Sequence, residues 1–83
     1  MQRLTLFSTS GCHLCESAAA IVAEVSPQVG GIALEIVDIA ESEALFERYG
    51  LLIPVLRHAN GDELKWPFAA VSLRAFLREK QQG

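Results

Sequence analysis

Two cysteines three residues apart, in Cys12-His13-Leu14-Cys15, stand where a strand-like run gives way to a helix-like one, and no other feature constrains the chain as much. Upstream, Leu4 to Ser8 is a short, mostly apolar run of strand-forming type, broken by Ser8-Thr9-Ser10-Gly11. Downstream, Leu14, Ala18, Ile21, Val22 and Val25 fall on one face of a helix, and Pro27 with Gly30-Gly31 ends the run. The spacing predicts a helix from about Cys12 to Val25. Ile32 to Ile39 is rich in β-branched and aliphatic residues, with Glu35 and Asp38 its only charges, which suits a buried strand parallel to the first. The cysteines thus lie at the first turn of a βαβ unit.

The rest of the chain extends that unit. Glu41 to Tyr49 favours a short helix, with acidic residues in its first turn, Arg48 in its last and Gly50 as a stop. Val55 to His58 and Asp62 to Trp66 flank Asn60-Gly61, a strong hairpin signal, so strands three and four are antiparallel. Ser72 is placed to cap a last helix carrying Leu73, Phe76 and Leu77 on one face, with Arg78 and Lys80 near its negative end. The order is β-α-β-α-β-β-α in a single α/β domain spanning residues 1–83.

With 83 residues the chain is near the lower end of what folds without staples. Its 51 % hydrophobic content favours a core over disorder. The net charge is −3, and the seven lysines and arginines are scattered, so a nucleic-acid partner, which needs concentrated positive charge, is not expected. No apolar run approaches the roughly 20 residues that span a bilayer. The chain enters a strand pattern within a few residues of Met1, which leaves no room for a secretory leader, and two cysteines make no disulfide framework. A cytoplasmic location and a monomer are the expectations.

A thiol at the start of a helix meets unpaired backbone N–H groups and the positive end of the macrodipole, both of which favour the thiolate. Such settings lower a cysteine pKa from about 8.5 to roughly 3.5–7.5. Cys12 is therefore the candidate nucleophile. Cys15, one turn later on the same face, is the candidate resolving thiol. His13, if protonated, would favour the neighbouring thiolate as a modulating residue, or else it is a solvated side chain. Two thiols at this spacing also occur as core residues or as half of a metal site. Their place between strand and helix favours redox chemistry. Trp66 and Phe68 are either core aromatics or an apolar border to the site. His58 reads as a solvated strand residue.

Several segments resemble the thioredoxin superfamily, and in particular the small bacterial glutaredoxin-like proteins. They are Leu4-Thr5-Leu6-Phe7, then Ser10-Gly11-Cys12-His13-Leu14-Cys15-Glu16, then Tyr49-Gly50-Leu51-Leu52-Ile53-Pro54-Val55-Leu56, and the closing hairpin and helix. The resemblance implies a thioredoxin-like, glutaredoxin-like fold with a four-stranded mixed sheet flanked by helices. It also implies a cis Pro54 facing the cysteine pair, with Ile53 offering backbone groups to an extended substrate. Thr9 stands where classical glutaredoxins commonly carry a basic residue, and His13-Leu14 replaces their Pro-Tyr. Residues 66–72 lack the Gly-Gly-x-Asp-like stretch that holds a glutathione carboxylate.

The leading expectation is a thiol/disulfide oxidoreductase that reduces protein or low-molecular-weight disulfides. Its partner would be a disulfide-containing protein or a glutathione adduct, on neither a membrane nor a nucleic acid. No bound cofactor or metal is required, and glutathione is a candidate reductant or substrate. The alternative is a module in which the same cysteines hold a metal or share an iron–sulfur cluster. An interaction domain with an idle pair is the third.

Overall fold

A computed structural model describes residues 1–81, with side chains through residue 80. The elements are β1 (Gln2–Ser8), α1 (His13–Val25), β2 (Ile32–Asp38), α2 (Glu43–Tyr49), β3 (Val55–His58), β4 (Glu63–Lys65) and α3 (Ala70–Gln81). Two single 3₁₀ turns, Ser26–Val29 and Ile39–Glu41, lie either side of β2. The strand order is β2-β1-β3-β4, with β1 parallel to β2 and the other pairs antiparallel. This is the expected mixed sheet.

Alternation along β1 distributes the core between two layers. Leu4 and Leu6 point to one face, where Leu56 of β3 meets Ala18, Val22 and Val25 of α1 and Leu73 and Leu77 of α3. Burying an aliphatic side chain of this size contributes about 1.5–3 kcal/mol, so this layer is the main source of stability. Phe7 points the other way and joins Val55, Ile39 and Tyr49 under α2, with the Phe7 and Tyr49 rings stacked 4.2 Å apart. β1 is thereby central, and its C-terminal end is held rigidly from both faces.

Five local features differ from the sequence expectation, the first being Leu14, which spacing sets on the apolar face of α1 and which is 50 % exposed. β2 is an edge strand rather than a buried one, and Ile36 is 61 % exposed. α3 begins at Ala70, so Ser72 lies inside the first turn and accepts a hydrogen bond from Ala69 N–H at 3.4 Å instead of capping from outside. Trp66-Pro67 is cis, as is Ile53-Pro54. His58 is half-buried, with Nε2 2.8 Å from Gln2 Oε1 and Nδ1 3.1 Å from the Asn60 N–H. Because Nδ1 accepts, the ring proton lies on Nε2 and is donated to Gln2. His58 therefore ties β1 to the hairpin and is not free in solvent.

Candidate functional site

The loop from Ser8 to Gly11 carries the chain off the central strand and onto the start of α1. Gly11 makes the turn at φ +77°, a conformation costly for any residue with a Cβ. Cys12 is the N-cap of α1, extended at φ −87°, and its Sγ accepts the Cys15 N–H at 3.1 Å. A sulfur here takes the place that a serine or aspartate oxygen usually takes at an N-cap. Cys12 and Cys15 are joined as a disulfide, with their Cα atoms 5.3 Å apart. Cys12 is half-buried, whereas Cys15 is 4 % exposed, on the inward face of the helix beside Ala18 and Val22.

His13 points to solvent, 96 % exposed, with Nδ1 3.7 Å from the carboxylate of Glu16, itself 81 % exposed. An exposed pair of this kind is worth at most about 1 kcal/mol, so Glu16 holds His13 only weakly. Leu14, between the cysteines, is half exposed.

Pro54 lies at the same end of the sheet. Phe7 pairs with Val55, so the register continued by one residue sets Pro54 beside Ser8, four positions before Cys12. Pro54 is fully buried, and its carbonyl accepts the Trp66 N–H at 3.3 Å. Ile53 departs from the expectation in part, because its N–H is already donated to the Tyr49 carbonyl at 3.1 Å. Among the described residues no N–H donates to the Ile53 carbonyl. Leu51 and Leu52, in the same connection, are exposed. Trp66 and Phe68 pack edge to face against each other, with Phe68 in the α1/α3 core layer and Trp66 against it, so they are core aromatics.

No Asp, Glu, Lys, Arg or His is buried among the described residues, so no ionised group underlies the cysteines. Nor does any group of three or more His, Cys, Asp or Glu side chains come together as a ligand set among them.

A sequence profile of the glutaredoxin-like domain (DUF836) matches residues 3–78 of this chain. The chain belongs to the glutaredoxin-like family. The glutaredoxin-like chain is 43 % identical to target protein XcR50 from X. campestris, whose X-ray structure superposes with a TM-score of 0.81 over 92 % of this chain and 96 % of that one. Protein Ne2328 from Nitrosomonas europaea is 27 % identical, with a TM-score of 0.77 over 90 % and 89 % of the two chains. Oxidised thioredoxin O2 from Arabidopsis thaliana shares the fold at 18 % identity, with a TM-score of 0.65 over 95 % and 74 %. Comparison with curated proteins gave no match. The fold is thioredoxin-like, and the glutaredoxin-like domain with its Cys12/Cys15 pair supports a thiol–disulfide redox role in general.

Proposed function

We propose that this glutaredoxin-like protein is a cytoplasmic reductase of disulfides in proteins or low-molecular-weight thiol adducts. The observation that carries this reading is the asymmetry of the pair: Cys12 at the helix start with an N–H aimed at its sulfur, Cys15 shielded one turn below. In the reduced protein the Cys12 thiolate attacks one sulfur of the target and forms a mixed disulfide, and the first product leaves as a thiolate that takes a proton from water. Cys15, after losing its proton to water, attacks Cys12 Sγ. The second target thiol departs and the intramolecular disulfide forms. Two equivalents of a cellular thiol, glutathione being one candidate, then restore the dithiol and leave as their own disulfide. The exposed Leu14, Leu51 and Leu52 suit an apolar segment of a protein target, and the Ile53 carbonyl suits one backbone hydrogen bond to it.

The test is reduction of insulin and of glutathionylated albumin by the prereduced wild type, Cys12→Ser and Cys15→Ser. The proposal requires Cys12→Ser to be inactive and Cys15→Ser to accumulate a mixed disulfide at Cys12. Undiminished activity of Cys12→Ser rejects it.

A further inference from the structure

The cysteine pair opens onto a second side, away from Pro54. A groove of about 280 Å³ reaches both Cys12 and Cys15, and every residue around it comes from β1, the loop after it, α1 or β2. None comes from β3 or from the Leu51–Pro54 connection. Since β1 separates β2 from β3 in the sheet, this groove lies on the flank opposite Pro54. Its apolar wall is Leu6, Ala19 and the 61 % exposed Ile36. Ser8, Thr9 and Ser10 supply hydroxyls, and Glu16 is the one residue around it that carries a formal charge at neutral pH.

We infer that this groove is a subsite for small disulfides bearing an ammonium group, separate from the side at which a protein target would dock. The inference rests on the thiol–disulfide reading above and names a substrate class for it. Three features carry it: contact with both sulfurs, a volume suited to a ligand of amino-acid size rather than a folded partner, and a carboxylate whose one basic neighbour is the exposed His13, 3.7 Å away. An anionic disulfide has Glu16 as the one charged side chain around it and only the helix-start N–H groups at the sulfurs to draw it, whereas an aminoalkyl chain lays its methylenes on Ile36 and Ala19 and its ammonium near Glu16 and the hydroxyls. The reaction is the balanced exchange already described. Cys12 thiolate takes one sulfur of the small disulfide, one aminothiolate leaves and is protonated by water, and Cys15 then releases the second while the pair is oxidised.

The test uses prereduced protein in single turnover with three disulfides of similar size: cystamine, hydroxyethyl disulfide and dithiodipropionate. Each rate constant is divided by that of free mercaptoethanol with the same disulfide, which removes the effect of leaving-group acidity. At low salt the expected order is cystamine, then the neutral compound, then the dianion, with steps of up to about fivefold, the most that an exposed ion pair gives. Glu16→Gln removes the preference and Ile36→Arg turns it towards the anion, while Glu24→Gln, on the same helix but outside the groove, keeps it. Equal normalised rates, or the same loss in Glu24→Gln as in Glu16→Gln, overturn the subsite and leave the redox reading standing. Failure to react with all three disulfides rejects both.

Discussion

The backbone N–H of Cys15 points at the sulfur of Cys12, 3.1 Å away, from the first turn of the same helix. That N–H is one of the helix-start donors with no carbonyl partner in the helix. A donor so placed favours the Cys12 thiolate.

In the reduced protein, Cys12 should therefore titrate below the ordinary thiol range and Cys15 should not. Alkylation rates followed against pH, with the modified residue located by mass spectrometry, check this. Iodoacetamide should label Cys12 first, and preferential labelling of the buried Cys15 would contradict the assigned roles.

The connection that delivers Pro54 hangs on Tyr49. Its carbonyl accepts the N–H groups of both Leu52 and Ile53, its ring stacks on Phe7, and its hydroxyl donates to the Glu63 carboxylate, which Arg48 also approaches at 3.9 Å. Tyr49→Phe keeps the ring and loses a hydrogen bond to a charged acceptor, at a cost of about 1–3 kcal/mol in denaturant unfolding.

Burial raises the Tyr49 pKa above its ordinary value of 10.0, helped by the hydrogen bond to Glu63 and that carboxylate's charge. The folded state thus holds the phenolic proton more tightly than the unfolded chain does. The resulting stabilisation is fully present below about pH 10 and is lost as pH rises through the folded-state pKa. Alkaline unfolding should be steeper in the wild type than in Tyr49→Phe.

Gly50 follows in right-handed helical geometry at φ −52°, so its requirement is one of space. A Cβ there would approach the Phe46 carbonyl oxygen to 2.5 Å, and backbone would have to move. Gly50→Ala should lower stability by about 1–3 kcal/mol, the usual cost of overpacking. Because the shift falls on the Leu51–Pro54 connection, reduction of protein disulfides should also slow. Thermal melts and an insulin-reduction assay read the two effects.

At the opposite end of the molecule, Lys80 clamps α3 to the hairpin. Its stem is buried, its ammonium lies 4.5 Å from the centre of the Phe76 ring, and it bonds the Asp62 carboxylate. The hydrogen bond and charge of Lys80 hold the Asp62 pKa below its ordinary value of 3.8. The folded state therefore binds this proton more weakly, so the contribution is present above the ordinary carboxylate range and fades as pH falls below about 4. Asp62→Asn should melt earlier than wild type at pH 7, and the gap should close towards pH 3.

Hydrophobic spacing carried most of the architecture. Ala18, Val22 and Val25 defined the inner face of α1, where Cys15 takes the place that spacing gave to Leu14, and Asn60-Gly61 defined the hairpin, whose turn closes through Gly61 N–H to His58 carbonyl at 2.8 Å. The cysteine pair and Pro54 were legible because helix-start chemistry and family resemblance both bear on local sequence. What stayed hidden depends on contacts across the fold. An apolar run such as Ile32 to Ile39 does not say which strand lies at the edge, so the exposure of Ile36 and the groove beside it had no sequence signal. Ser72 looked like a cap because Ser is a common one, yet the helix starts earlier, at Ala70, and uses the serine from within. Nothing in Trp66-Pro67 marked a cis bond, and the use of the Ile53 N–H by Tyr49 is a tertiary detail of the α2–β3 turn.

The central claim, that Cys12 and Cys15 form a working dithiol/disulfide couple, is tested most directly by equilibrating the protein in thiol buffers of defined potential and counting free thiols by alkylation, with Cys15→Ser as control. A reversible two-electron transition in the range of roughly −200 to −270 mV found for glutaredoxins and thioredoxins is the predicted result. Absence of an intramolecular disulfide at every potential would contradict the account.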